Sequence, residues 1–477
     1  MNYCAQMGQK MGINIKSSRT IFPIEPTPNG KMELSAFDQI KIYEHISLVY
    51  IYKSKNSIEP GKSAQYACEI LRNSLSQALV PYYPLAGRLS WSERGRLELH
   101  CSAKGVLLLE AECEATLAEV GHFGASQELK QLVPKVDYSS GIEEIPLVTV
   151  QLTKFKCGGV GVGVGISRTM VDGLGSFAFS NAWIKLARGE KLDVMPFYDR
   201  NVFKSTCGNL NATTPRFDHI EYTQWQISRG SNRLLADTSS STNEESLVML
   251  KLTKEQLQNL KMVANFGTHR PFSSFEVLAG HIWRCACKAR YKGDSRQPTR
   301  VSIMVDCRHR LKPILPAGYF GNAALPTLTS PCLFGDIMYE PLCYAAEKIR
   351  EATAKMTDEY IRSAIDVIEN HNDMDVLRKT YIAPDINEED NPNVSVVSWM
   401  NMPPLLDADF GWGQPLFFSP ILDNYEGKFL LMPCFEGDHH EGSLTVYVCL
   451  NAKHMKSFKR FFYEDIRDIP FQPHSRF

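Results

Sequence analysis

No run of about 18 apolar residues occurs anywhere in this 477-residue chain, so no membrane-spanning helix is expected. Met1–Ser17 lacks the apolar core of a signal peptide, and no lipidation or retention motif closes the C-terminus. A cytoplasmic protein without a membrane partner is the resulting expectation. Charge of one sign is lacking as well. Lys and Arg number 52 against 53 Asp and Glu, a net charge of -1, and no global field would gather nucleic acid. The 13 cysteines follow no metal pattern; Cys285 and Cys287 are too closely spaced for a zinc pair. They are expected as buried, reduced thiols, with no metal bound. There is no phosphate loop and no Gly-x-Ser-x-Gly elbow. The glycine-dotted run Cys157–Ile166 does not complete Gly-x-Gly-x-x-Gly with a helix behind it, which removes a bound dinucleotide from consideration.

What is present is ordinary globular material, 44% hydrophobic and 22% charged, in a chain long enough for two domains. Residues 46–53, 97–101, 106–111 and 147–152 read as strands. Residues 62–79 carry helical spacing, and 80–89 form a proline-bracketed turn running into a strand. The glycine-dotted run reads as a buried strand that delivers Ser167-Arg168-Thr169-Met170-Val171-Asp172-Gly173 into a cleft, with Asp172-Gly173 as a turn. A helix is expected over 177–187. From Gly189 to Glu245 the composition becomes that of a linker, including the Ser/Thr/Asn run 238–243. Beyond it come a strand near Leu247, a helix capped by Thr253 with capping-box spacing, and a helix over 274–291. The mixture of strands and helices points to α/β or α+β. The divisions are 1–188, a crossover at 189–245, and 246–477.

Several stretches carry more than fold. After Arg168 and Asp172 comes Val305-Asp306-Cys307-Arg308-His309-Arg310, a strand running into basic residues, then Gly318-Tyr319-Phe320-Gly321-Asn322. Further on is Asp407-Ala408-Asp409-Phe410-Gly411-Trp412-Gly413, a tight aromatic turn before a strand at 416–418. Leu34–Gln39, Tyr83–Leu89 and Ser273–Arg284 complete the set. The acidic loop Phe435–Ser443 holds His439 and His440.

In this order, the stretches resemble the plant BAHD acyl-CoA-dependent acyltransferases over residues 34 to about 460. That family carries His-x-x-x-Asp-Gly where this chain has Arg168, and Asp-Phe-Gly-Trp-Gly where it has 409–413. The resemblance implies an α/β fold of two similar-sized, chloramphenicol-acetyltransferase-like domains with mixed sheets, joined by a long crossover loop, with an active-site tunnel between them. It also implies a monomer with no bound cofactor, with acyl-CoA arriving as co-substrate. By carry-over, Asp172 would be structural and paired with Arg308. Trp412 would offer its indole N–H near the thioester carbonyl. Ser274, Arg308, Tyr319 and Asn322 would belong to the CoA side.

Arg168 departs from the pattern. A histidine in that slot would act as general base, because its pKa lies near neutrality. A guanidinium stays protonated and cannot take that part. Losing a positioned base costs roughly 10² to 10⁴ in rate. The chain is then an altered or inactive relative, or its acceptor is an amine that needs less help. Arg168 would in the latter case stabilise an oxyanion or hold an anionic group, or it simply pairs with Asp172 or reaches solvent. His439 and His440 stand as substitute bases. The stretch Lys130–Gly159 is most like the spermidine hydroxycinnamoyl transferases within the family. The expectation is an acyltransferase, of reduced or altered activity, moving a hydroxycinnamoyl group from CoA to a polyamine such as spermidine. A non-acylating member that binds hydroxycinnamoyl conjugates is the alternative, and O-acylation of shikimate or quinate is the third reading.

Overall fold

A computed structural model describes residues 11–42, 44–53, 62–121, 127–203, 215–222, 245–382, 391–402, 408–422, 426–434 and 442–467. The loop with His439 and His440 and the 238–243 run lie outside these residues.

Two six-stranded mixed sheets organise the chain. The first runs Ile13–Ile21, Val106–Cys113, Val148–Phe155, Val160–Ser167, His45–Tyr52 and Phe417–Ile421, with one parallel pairing, Val106–Cys113 on Val148–Phe155. The second runs Ala324–Leu328, Val301–Asp306, Val394–Ser398, Lys428–Pro433, Leu444–Asn451 and Glu245–Leu252. Its three central strands, Val301–Asp306, Val394–Ser398 and Lys428–Pro433, are mutually parallel. Antiparallel strands flank them, and helices cover the faces as expected of layered α/β packing.

The expected elements appear close to their places, with two differences. The helix after the glycine run is Gly173–Ala187, starting four residues earlier than the apolar pattern alone indicates. Asp172 is therefore a helix N-cap rather than half of a free turn, and its carboxylate accepts from the Gly175 amide. The strand after the aromatic turn, Phe417–Ile421, belongs to the first sheet, paired antiparallel with His45–Tyr52. A piece of the second half thus completes the first sheet.

The exchange runs the other way too. Phe37 and Ile40 are buried in the core built on the second sheet, and so are Phe203 and Tyr222 of the crossover. Phe320, Trp399 and Phe418 are buried in the core of the first. Glu221, buried in the crossover, accepts from the Tyr360 hydroxyl at 2.8 Å and meets Lys355 at 2.9 Å. The described part of the linker is thereby packed structure. Among the described residues no helix is long and apolar enough to cross a membrane. Their cysteines are unpaired, and nine of the eleven are buried.

Candidate active site

The site starts from a strand that only glycine permits. A Cβ on Gly163 would stand 2.0 Å from the Leu132 carbonyl oxygen, so Val160–Ser167 presses directly on a neighbouring backbone. The strand ends at Ser167, and Arg168–Met170 turn sharply toward the helix Gly173–Ala187. The Arg168 amide donates to the Glu44 carbonyl at 2.8 Å, and the Thr169 hydroxyl donates to the Ile42 carbonyl at 3.3 Å. The turn is therefore fastened to the Ile42 and Glu44 carbonyls.

Asp172 sits where four donors converge. Arg308 Nη1 meets Oδ2 at 2.8 Å and Nη2 meets Oδ1 at 3.0 Å. The Gly175 amide reaches Oδ1 at 3.0 Å and the Ala323 amide reaches Oδ2 at 2.9 Å. Burial opposes ionisation of this carboxyl, but the Arg308 guanidinium and the two amides overcome it and hold its pKa below the ordinary value. A carboxylate so fully engaged has no free lone-pair direction to offer a reacting proton.

Asn322 ties a second motif to the same turn. Its side-chain amide lies 3.1 Å from the Arg168 carbonyl, 3.0 Å from that of Thr169 and 2.9 Å from Asp38 Oδ1. Asp38 closes a capping box with Ser35 and receives Arg200 at 3.2 Å. The separate stretches 34–39, 168–173 and 318–322 thereby meet in one buried polar cluster.

Beside that cluster opens a cavity of about 290 Å³, walled by both halves of the chain. Lys41, Ile46, Arg168 and Leu174 line it from the first half, and Arg300, Met304, Arg308, Asn322 and Trp399 from the second. Among its described lining there are five basic side chains, Lys41, Arg168, Arg300, Arg308 and Lys428, and three acidic ones, Asp172, Asp306 and Glu426. No histidine is among them.

The residues singled out in the sequence divide accordingly. Arg168, Asp172, Arg308 and Asn322 come together at the cavity. Trp412, Tyr319 and Ser274 are not among its lining residues. Trp412 packs edge-on to Tyr52, with centroids 5.7 Å apart, and against Phe410 at 5.3 Å. Its turn is clipped to the far end of the Gly173–Ala187 helix, because Arg188 donates to the Asp409 carbonyl at 2.8 Å. Fifteen helical residues, about 22 Å, separate that end from Asp172. Tyr319 is buried below the guanidinium groups of Arg200 and Arg308, 5.3 and 5.7 Å from its ring centroid. Ser274 opens the helix Ser274–Arg290, whose N-terminus is held by the Ser273–Glu276 capping box, with Arg350 on Glu276 at 3.1 Å.

Trp399 and Lys41 are among the cavity residues that escaped the sequence reading. Trp399 follows the parallel strand Val394–Ser398, and the carboxyl ends of parallel strands are where α/β folds place ligands. Its indole nitrogen lies 3.0 Å from where a Cβ on Gly173 would stand, which puts it over the start of the helix capped by Asp172. Lys41 sits just past the Ser35–Asp38 capping turn and is only 5% exposed.

Elsewhere, His281, Cys285 and Asp465 lie close together. The His281 Nε2 is 3.0 Å from the Phe462 carbonyl, and Lys288 reaches Asp465 at 2.5 Å. Burial pushes the Cys285 thiol's pKa well up, so this trio is held as packed core and an ion pair.

A model of the Transferase family matches residues 11–465. The chain is 40% identical over 462 residues to hydroxycinnamoyl-CoA:piscidic acid hydroxycinnamoyltransferase of Actaea racemosa, covering 95% of this chain and 99% of that protein. It is 37% identical to shikimate O-hydroxycinnamoyltransferase of Nicotiana tabacum, covering 95% of this chain and all of that one. Against hydroxycinnamoyl-CoA:5-hydroxyanthranilate N-hydroxycinnamoyltransferase of Avena sativa it is 36% identical, covering 94% and 99%. Its fold matches the crystal structure of F. graminearum TRI101 complexed with coenzyme A and T-2 mycotoxin, with TM-score 0.71 and 16% identity over 90% of this chain and 97% of that one. The protein belongs to the Transferase family, the BAHD family of acyltransferases that its motifs resemble.

Proposed function

We propose that this protein transfers a hydroxycinnamoyl group from CoA to the amine of a small acceptor that also bears a carboxylate. The observation that carries this reading is the charge of the cavity wall, where Arg168, Arg300, Arg308 and Lys428 face Asp172, Asp306 and Glu426, and Lys41 is a fifth basic side chain whose charge burial weakens. A cationic wall suits the phosphates of CoA and a carboxylate on the acceptor. It opposes a polyamine, which arrives as a polycation. The polyamine reading rests on the likeness of Lys130–Gly159 to the spermidine hydroxycinnamoyl transferases, with the acidic loop Phe435–Ser443 as a lesser support, and the charged lining of the cavity does not favour it.

Arg168 favours an amine over a hydroxyl. A neutral amine can attack before its N–H proton is lost, whereas a hydroxyl depends on a base during the attack itself, so an amine makes do with a weaker base than an imidazole at position 168. An aromatic amine fits best, because it is uncharged at neutral pH and meets no repulsion from the wall. The relatives named above include one whose acceptor is an aminobenzoate and two whose acceptors are hydroxy acids. All three acceptors carry a carboxylate. Arg168 itself would face the thioester oxygen or the acceptor carboxylate as a fixed cation.

The test is thiol release and product mass with p-coumaroyl-, caffeoyl- and feruloyl-CoA, offered with 5-hydroxyanthranilate, shikimate and spermidine in parallel. Acceptor-dependent thiol release with an amide of the aminobenzoate is the expected result. Release with spermidine alone overturns the acceptor assignment. Saturable binding of the CoA ester with no release from any acceptor would replace catalysis with the binding reading that Arg168 raises.

A further inference from the structure

We propose that Lys41 is the proton acceptor of the transfer, the part that an imidazole at position 168 would otherwise play. This rests on the acyl-transfer reading above and adds a residue to it.

The geometry is specific. Lys41 lines the cavity with Arg168, Asp172 and Asn322, yet it is 5% exposed. Its backbone amide donates to the Asp38 carbonyl at 3.2 Å, so the capping turn sets its place. The next residues, Ile42 and Glu44, are the ones whose carbonyls hold Thr169 and the Arg168 amide. Lys41 and Arg168 therefore enter the cavity from two segments fastened to each other. The Lys41 Nζ donates to the Ala324 carbonyl at 3.3 Å, on another lining residue. A neutral amine can donate to that carbonyl and still present its lone pair to the cavity.

Burial makes such a neutral amine accessible. Burial pushes the Lys41 pKa down to about 7. Asp172, Asp38 and Cys307 oppose the shift, and Arg168 reinforces it. Arg168 thus has a second effect beyond its own charge, since it disfavours a second cation beside it. Among the described residues the other carboxylates of the cavity are engaged, Asp306 by Arg308 at 2.9 Å and Glu426 by Arg290 at 2.7 Å. Asp172 is saturated by four donors. His45 has Nδ1 at 2.8 Å from the Tyr138 hydroxyl and Nε2 at 2.8 Å from the Pro146 carbonyl, and it does not line the cavity.

The step balances. The acceptor nitrogen forms a bond to the thioester carbon and its N–H proton passes to the Lys41 Nζ. The carbon–sulfur bond then breaks, the CoA sulfur leaves as thiolate, and the Lys41 ammonium returns the proton to it. Lys41 ends neutral, and the products are an amide and free CoA thiol.

The experiment compares thiol release by the wild-type chain, Lys41→Met, Lys41→Arg and Lys41→Met/Arg168→His across pH 5.5–9, with thermal melting and CoA binding measured for each. Loss of kcat by roughly 10²-fold or more in both single variants, with KM within a few-fold, is expected. Wild-type kcat/KM should rise with pH through a value near 7, because only the deprotonated amine accepts. The double variant should regain activity, since the histidine supplies the missing base. Activity within tenfold of wild type in Lys41→Arg, which keeps charge but cannot accept a proton, overturns the assignment. So does an unchanged pH profile in either single variant. A wild-type chain that releases no thiol removes the acyl-transfer reading and this one together, whereas an active wild type with active Lys41 variants removes this one alone.

Discussion

Arg308 grips both carboxylate oxygens of Asp172, at 2.8 and 3.0 Å, and in doing so joins the first helix of the site to the end of a strand in the second sheet. Asp172 caps Gly173–Ala187, while Arg308 follows Val301–Asp306 and also holds Asp306 at 2.9 Å and the Gly321 carbonyl at 3.1 Å. Both side chains are largely buried, so each depends on the other to offset lost hydration.

Arg308→Ala should cost roughly 3–5 kcal/mol in denaturant unfolding, because it strands a buried carboxylate with only its two amide donors. Arg308→Lys should recover part of this, since one ammonium cannot span two oxygens. The pH dependence has a defined sign. The folded-state pKa of Asp172 is depressed, so its contribution is present above the unfolded carboxyl value of about 4 and is lost as pH falls through the folded value. The stability gap between wild type and Arg308→Ala should therefore narrow on acidification below about pH 4. A gap that widens there would show that the pair does not hold Asp172 ionised.

Trp399 and Trp412 separate the site from its scaffold. Trp399 lines the cavity with its indole nitrogen over Gly173, whereas Trp412 braces the opposite end of the same helix. If Trp399 rather than Trp412 supplies the indole donor to the reacting oxygen, Trp399→Phe should lower kcat for thiol release roughly 10²-fold, the scale of losing one oxyanion donor, by more than any loss of stability from its buried ring accounts for. Trp412→Phe should leave kcat within a few-fold and act on stability instead. The reverse pattern would return the indole donor to position 412.

How much of this was legible follows from where each signal lives. The elements were readable because period and caps are local. The Thr253–Gln256 capping box and the 274–290 helix both appear as the spacing indicates. The Asp172–Arg308 pair was legible only through the family resemblance, since 136 residues separate the partners. Lys41 and Trp399 were not legible, because membership of a cavity depends on strands from both sheets. Nothing local says that the turn at 408–413 docks at a helix's far end, so its tryptophan was placed at the thioester by motif alone. The exchanged strand Phe417–Ile421 is another long-range pairing of this kind.

The glycine run makes a sharp steric prediction, because two of its glycines meet very different neighbours. A Cβ at Gly163 would lie 2.0 Å from the Leu132 oxygen and 2.8 Å from its carbonyl carbon, which are backbone atoms at the end of the 3-10 turn Gln127–Leu132. A Cβ at Gly161 would instead meet the Phe155 ring edge at 3.3 Å and the Ile51 side chain at 3.6 Å. Side chains can shift by tenths of an ångström; a strand pressed on a backbone carbonyl cannot without losing its ladder. Gly163→Ala should therefore destabilise by about 3 kcal/mol or more and depress thiol release as the Arg168 turn is displaced. Gly161→Ala should cost about 1 kcal/mol and leave activity near wild type. Chemical denaturation of the two variants side by side decides it, and equal losses would mean the strand yields at Leu132 instead of being held there.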